Sequence, residues 1–234
     1  MYLGMFDPTI IILIPAIIFT FYAQSKVNSA YSKYARVRNR RGITGAEAAR
    51  RLLDSNGLQN VPIEITKGKL SDHYDPRKRI MRLSPQVYNE PSIASISIAA
   101  HEAGHAIQHA EGYAPLRIRG LLAPVVMITS NLAWPILIVG LLIIGAGNIS
   151  QGNMIFNIGI LLYLGAVVFQ AVTLPVEFNA SKRAIELMNE LDLIYVEETA
   201  SAKKVLSAAA LTYIAALATT IATLMRMLAL RGRR

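Results

Sequence analysis

Ile93-Ala94-Ser95-Ile96-Ser97-Ile98-Ala99-Ala100-His101-Glu102-Ala103-Gly104-His105-Ala106-Ile107-Gln108-His109-Ala110 is the stretch whose reading decides this chain. Its first eight residues are small or apolar, and Ser92, directly after Pro91, is suited to cap a helix. The stretch therefore predicts a buried helix over about 93–111. Two histidines four apart stand one above the other on one helix face, so His101 and His105 can turn their ring nitrogens onto a single Zn²⁺. Glu102 then stands beside the open coordination position. There a carboxylate can take a proton from an activated water and later return it to a leaving amine. A polar surface helix with satisfied histidines would not carry so apolar a flank.

Such a site needs a third protein ligand. His109 is at the next step of four, but eight helical residues rise about 12 Å, whereas two ligands of one zinc lie within about 4 Å. The extension that supplies a third histidine ten residues after the first would need it at position 111, which is Glu111. His109 is expected to pack or to support a ligand. A better candidate lies in Leu174-Pro175-Val176-Glu177-Phe178-Asn179-Ala180-Ser181-Lys182-Arg183-Ala184. Glu177 follows a strongly apolar segment and opens what reads as a second amphipathic helix, with Ala180, Ala184, Leu187 and Leu191 at helical spacing. It could face the histidine pair, although an acid at a helix start is often only a favourable partner of the helix dipole.

Taken together, His-Glu-Ala-Gly-His, the downstream Glu-Phe-Asn-Ala and the segment Leu70-Ser71-Asp72-His73-Tyr74-Asp75-Pro76 resemble the membrane-bound gluzincin zinc metallopeptidases. The resemblance is closest to the putative neutral zinc metallopeptidase (YugP-like) family. It implies that Glu177 is the third ligand, beside His101 and His105, with one Zn²⁺ per chain. Relatives of this kind carry an acid where this chain has Ser181, a departure that removes a carboxylate expected to orient a ligand histidine. The resemblance also implies that an exposed edge strand ahead of the active-site helix binds substrate by strand addition. The strand at Lys78 to Leu83, with Arg79, Ile80, Met81 and Arg82, is the candidate for that role.

The rest of the chain indicates a membrane protein. Of 234 residues, 53% are hydrophobic and mean hydropathy is +0.38, with the apolar residues gathered in blocks too long for an ordinary soluble domain. Leu3 to Tyr22, Leu121 to Gly147 and Met154 to Leu174 are each near the length that spans a bilayer core. Val205 to Met225 is richer in Ala and Thr and could either span or pack. Six cations and no acid between Gln24 and Arg41 (Lys26, Lys33, Arg36, Arg38, Arg40, Arg41), with Arg117 and Arg119 before the second block, predict that the catalytic region faces the cytoplasm. The uncharged connection from Asn148 to Asn153 suits the outer side and returns Glu177 to the side of the histidines. If the last block crosses, however, Arg226, Arg231, Arg233 and Arg234 end outside, against that tendency.

The expected fold is a mainly α membrane protein with three to four transmembrane helices and a small cytoplasmic α+β zincin-like catalytic part. The cytoplasmic region over 23–120 should hold a helix opened by the capping box Thr44-Gly45-Ala46-Glu47, running through Leu53 and stopped near Gly57. Strands are expected at Val61 to Thr66 and Lys78 to Leu83, joined through the turn-rich Ser71 to Pro76, and a second cytoplasmic helix over 175–204 should carry Glu177. His73 and Tyr213 are candidates to stabilise the oxyanion of peptide hydrolysis.

Net charge of +9 could suggest nucleic acid, but the cations flank membrane blocks without interleaved aromatics, so anionic lipid headgroups are the expected partner and nucleic acid is not. No cysteine is present, which excludes disulfides and thiolate ligands. Spans 121–147 and 154–174 contain no ionisable Asp, Glu, Lys, Arg or His, which leaves an ion transporter nothing to work with. The expectation is a multi-pass zinc endopeptidase of a prokaryotic plasma membrane, acting on peptides or membrane proteins. Its rival is a metal-stabilised membrane scaffold without catalysis.

Overall fold

In the computed structural model, which describes residues 7–232, the chain is mostly helical around a small sheet. A 3-10 turn at Pro8–Ile12 leads into α1 (Ile14–Tyr34), followed by α2 (Gly45–Ser55), β1 (Ile63–Ile65), β2 (His73–Asp75), β3 (Ile80–Leu83), α3 (Pro85–Asn89), α4 (Ile93–Ala110), α5 (Ala114–Gly145), α6 (Ile149–Glu190) and α7 (Val196–Gly232). These form two compact units. One comprises Met1–Tyr22, Ile118–Leu174 and Tyr213–Arg234, the other Ala23–Arg117 and Pro175–Thr212.

In the first unit α5, α6 and α7 are each long and apolar enough to cross a membrane. Glycines let α5 and α6 approach closely. A Cβ on Gly140 would lie 2.8 Å from the Phe156 nitrogen, and one on Gly152 would lie 2.7 Å from the Ile144 nitrogen. This is the small-residue packing that bilayers favour, since lipid tails supply no hydrophobic drive for helices to associate. Leu137, Phe156 and Met227 form a small buried cluster. α1 and α7 are tied by Thr20 Oγ1 to Thr219 Oγ1 at 3.1 Å and by Arg226 Nη2 donating to Asp7 Oδ2 at 3.0 Å.

The first expected span is described only in part. Residues 3–6 lie outside the described residues, and the rest of Leu3 to Tyr22 is divided between the 3-10 turn and the start of α1. Among the described residues α1 is not one of the three membrane-length apolar helices, its apolar run ending in Gln24, Lys26 and Asn28. The weakest block, Val205 to Met225, lies instead within one of them, α7.

In the second unit the capping box is formed as expected. Thr44 Oγ1 accepts from the Glu47 N–H at 3.2 Å, and Glu47 Oε2 accepts from the Thr44 N–H at 2.8 Å. α2 buries Ala48, Ala49, Leu52 and Leu53 in a core with Met81, Leu83, Val87, Ile93, Ile96 and Met188. The turn-rich 71–76 segment is itself largely a strand. β2 pairs antiparallel with β3 and β1 pairs parallel with it, in the order β1-β3-β2.

β3 is thus central, with Met81 and Arg82 hydrogen-bonded into ladders on both sides, so Arg79, Ile80, Met81 and Arg82 do not form a free edge. β2 is the edge strand that packs on α4. Nor does a separate helix begin near Glu177: α6 runs through Pro175, and the expected helix over 175–204 is instead the end of α6, a turn and the start of α7. A proline inside a helix costs about 3 kcal/mol, which is why the sequence suggested a boundary there. Complete burial of Val176, Ala180, Ala184 and Met188 along one face offsets that cost.

Substituting Gly140 by Leu is expected to lower the melting temperature in detergent by roughly 5 °C or more, because the side chain has no room against α6. Gly145→Leu, where a Cβ meets nothing within 4 Å, should leave it unchanged. Thermal unfolding followed by circular dichroism compares the two.

Candidate metal centre

α4 begins as the sequence implies, with Ser92 Oγ accepting from the Ser95 N–H at 3.0 Å. One turn of helix separates His101 from His105, and their ring centroids lie 4.7 Å apart. Against this face lies α6. The closest approach falls at Gly104, where a Cβ would be 2.7 Å from the Ala180 carbonyl oxygen and 3.2 Å from its Cα. Only glycine allows this contact, and it brings Glu177, one turn before Ala180, onto the histidines.

Glu177 Oε2 lies 3.3 Å from His101 Nε2 and 3.4 Å from His105 Nε2. Ligand atoms about 2.1 Å from a tetrahedrally bound zinc stand roughly 3.4 Å from one another, so these separations match two edges of such a site. The three residues could hold a metal ion, their ligand atoms all lying within 4.8 Å of one another. The donor set of two imidazoles and one carboxylate also suits zinc. His109 stands apart, as its spacing predicted: its Nδ1 is 2.9 Å from the Tyr74 hydroxyl.

The electrostatics agree with a cation site. Burial alone would raise Glu177, but its contacts with His101 and His105 outweigh that and hold the carboxyl far below the usual range. Burial would lower His105, yet the Glu177 hydrogen bond, the charges of Glu102 and Glu177 and the Gln108 oxygen together raise it.

Each of the two histidines presents Nε2 to the site, its Nδ1 having another partner. His105 Nδ1 is 3.0 Å from Gln108 Oε1, and His101 Nδ1 is 3.1 Å from Ser181 Oγ. Ser181 therefore stands where an orienting acid was expected and reaches the same imidazole with a hydroxyl. Glu102 is nearly buried, and its Oε2 accepts from the Tyr74 backbone N–H of β2 at 2.9 Å.

His73 has a different setting. It alternates with Tyr74, which packs toward the core, so its exposed ring lies on the other face of β2 with Nδ1 2.8 Å from the Ser71 oxygen. Tyr213 is carried by α7 in the first unit. Gly104, Gln108 and Tyr74 are the site residues that the sequence reading missed, and Ser181 was read there only as the loss of an orienting acid. A glycine inside a helix, costing about 1 kcal/mol against alanine, was the one available signal, and it marked the close contact.

A family described as "Putative neutral zinc metallopeptidase" matches residues 9–232. The chain belongs to that family. It is also 46% identical over 226 residues to a Bacillus subtilis (strain 168) protein described as "Putative membrane protease YugP", covering 96% of this chain and 97% of that one. No solved structure matches the chain. The membership agrees with the site: the histidines, Glu102 and Glu177 all fall within the matched segment.

Gly104→Ala is expected to push α6 from α4 and weaken zinc binding by about 10- to 100-fold. Gly120→Ala, where a Cβ meets nothing within 4 Å, should bind zinc as the wild type does. Competition with a chromophoric chelator measures both.

Proposed function

We propose that the protein is a zinc-dependent, membrane-bound endopeptidase of gluzincin type, in which His101, His105 and Glu177 hold one Zn²⁺ and Glu102 is the general base. The observation that carries this reading is the pair of 3.3 and 3.4 Å separations from Glu177 Oε2 to the two Nε2 atoms, on a helix that also bears Glu102. Bound zinc would polarise the scissile carbonyl and acidify a water molecule. Glu102 takes the proton of the attacking water and delivers it to the leaving nitrogen. β2, an edge strand of the sheet, receives an extended substrate segment by strand addition, in the role first given to β3. Its Tyr74 N–H, directed at Glu102, places that segment beside the base.

Substrates on this reading are peptides or membrane-proximal segments of other proteins. The six cations between Gln24 and Arg41 support a cytoplasmic active site against anionic headgroups, in a prokaryotic plasma membrane. Arg226 then lies toward the outer side, where its ion pair with Asp7 reduces the cost of a cation there. One observation favours the non-catalytic rival: Glu102 already has a structural task, since it ties α4 to β2 through Tyr74.

Glu102→Gln separates the two readings. The proposal expects about one bound zinc by mass spectrometry and loss of casein cleavage by at least about 10³-fold, while Glu177→Ala loses the metal. No cleavage by either across several unfolded substrates would favour the scaffold, and equal cleavage by both would overturn the role of Glu102 as the base.

Because the chain has no cysteine, single cysteines report sidedness directly. In intact cells Asn148→Cys should react with an impermeant maleimide, and Lys78→Cys only after permeabilisation. The reverse pattern would invert the topology.

A further inference from the structure

The partners of Gln108 do more than fill space. Gln108 is completely buried on α4, and both amide hydrogens are committed: Nε2 donates to the Val176 carbonyl at 2.8 Å and to Asn179 Oδ1 at 2.9 Å. The same Asn179 oxygen accepts from Arg183 Nε at 2.8 Å. Arg183 in turn grips Glu111 at the end of α4, with Nη1 to Oε1 at 2.9 Å and Nη2 to Oε2 at 2.7 Å. These bonds form one continuous path from an ion pair to His105 Nδ1.

The path has a fixed direction. A guanidinium can only donate, so Asn179 must turn its oxygen toward Arg183. Gln108 must then offer that oxygen its NH₂ group, an orientation the Val176 carbonyl also demands. Its own oxygen is left facing His105, where it can only accept. The Nδ1 of His105 therefore carries the hydrogen, and the Nε2 lone pair is directed at the site.

Resting on the zinc reading above, we infer that Arg183 is a positioning residue for the metal centre, setting the tautomer and orientation of His105 through Asn179 and Gln108. Such partners of a ligand histidine are worth about 10- to 100-fold in metal affinity. The Arg183–Glu111 pair by itself, with Glu111 half exposed, would be worth little to stability. The contact that couples Arg183 to His105 is the one its Nε makes with Asn179 Oδ1.

The test measures Zn²⁺ affinity of the full-length protein in detergent by chelator competition, alongside the melting temperature of the metal-free protein. Gln108→Leu is expected to weaken zinc about 10- to 100-fold, and Arg183→Leu about 3- to 10-fold. Arg183→Lys, still a donor only, should retain most of the affinity. Glu111→Gln, which leaves the Asn179 contact in place, should stay within about twofold of wild type. The Gln108→Leu/Arg183→Leu double variant should bind no more weakly than Gln108→Leu alone, as expected for one path.

A merely structural ion pair predicts otherwise: Arg183→Leu and Glu111→Gln would lower the melting temperature alike and leave zinc affinity unchanged. That result, or multiplicative losses in the double variant, overturns the inference. Should buried Gln108→Leu fail to fold, the Arg183 and Glu111 variants decide alone. A wild type that binds no zinc would overturn the peptidase reading itself, an outcome distinct from a wild type that binds while Arg183→Leu is silent.

Discussion

The contact between Gly104 and Ala180 is the constraint on which the site depends. Helix axes normally stand 8–10 Å apart, at distances set by the side chains between them. Here a glycine on α4 meets backbone on α6, and a Cβ at that point would fall 2.7 Å from a carbonyl oxygen. A carboxylate side chain is short, so Glu177 can share a ligand set with two histidines only if its backbone comes this close. The same approach lets Gln108 reach the Val176 carbonyl and Ser181 reach His101.

That proximity also accounts for the burial of charge. Glu177 is 2% exposed, and a carboxylate so placed is tolerated only with cationic or donating neighbours. The two imidazoles answer for it in the metal-free protein, and a divalent ion would do so more fully. The supporting polar contacts described around the imidazoles come from α4 and α6. Ser181 and Asn179 belong to one helix and Gln108 and Glu111 to the other, so the helices are locked together by the groups that aim the ligands. β2 adds the remaining constraint: it holds Glu102 through a backbone N–H, and its Tyr74 hydroxyl is in turn held by His109. Burial lowers His109, with Arg79 adding to the effect.

The first unit solves a separate problem. In a bilayer there is no hydrophobic gain from bringing α5 and α6 together, so glycines at 140, 152 and 159 substitute close backbone contact. Pro124 and Pro135 sit within α5 without ending it. Proline is a weaker helix terminator in such segments, because neighbouring groups re-satisfy the freed carbonyls.

Sequence alone determined what depends on local spacing. Four-residue periodicity placed His101, Glu102 and His105 together, the capping box fixed the start of α2, and block hydrophobicity marked α5, α6 and the apolar half of α7. Glu177 was legible only through resemblance, since nothing local distinguishes a ligand from an acid that favours a helix start. Tertiary structure decided the rest. It carried α6 through Pro175, made β3 central and β2 the edge, turned His73 away from the core face, and gave the imidazole partners to Ser181 and Gln108. Apart from the contact of Gln108 with His105 one helical turn away, these outcomes rest on contacts between residues far apart in the chain or on the order of strands in a sheet. Propensity and periodicity are short-range, and carry no information about which distant backbone will come near enough to exclude a methyl group.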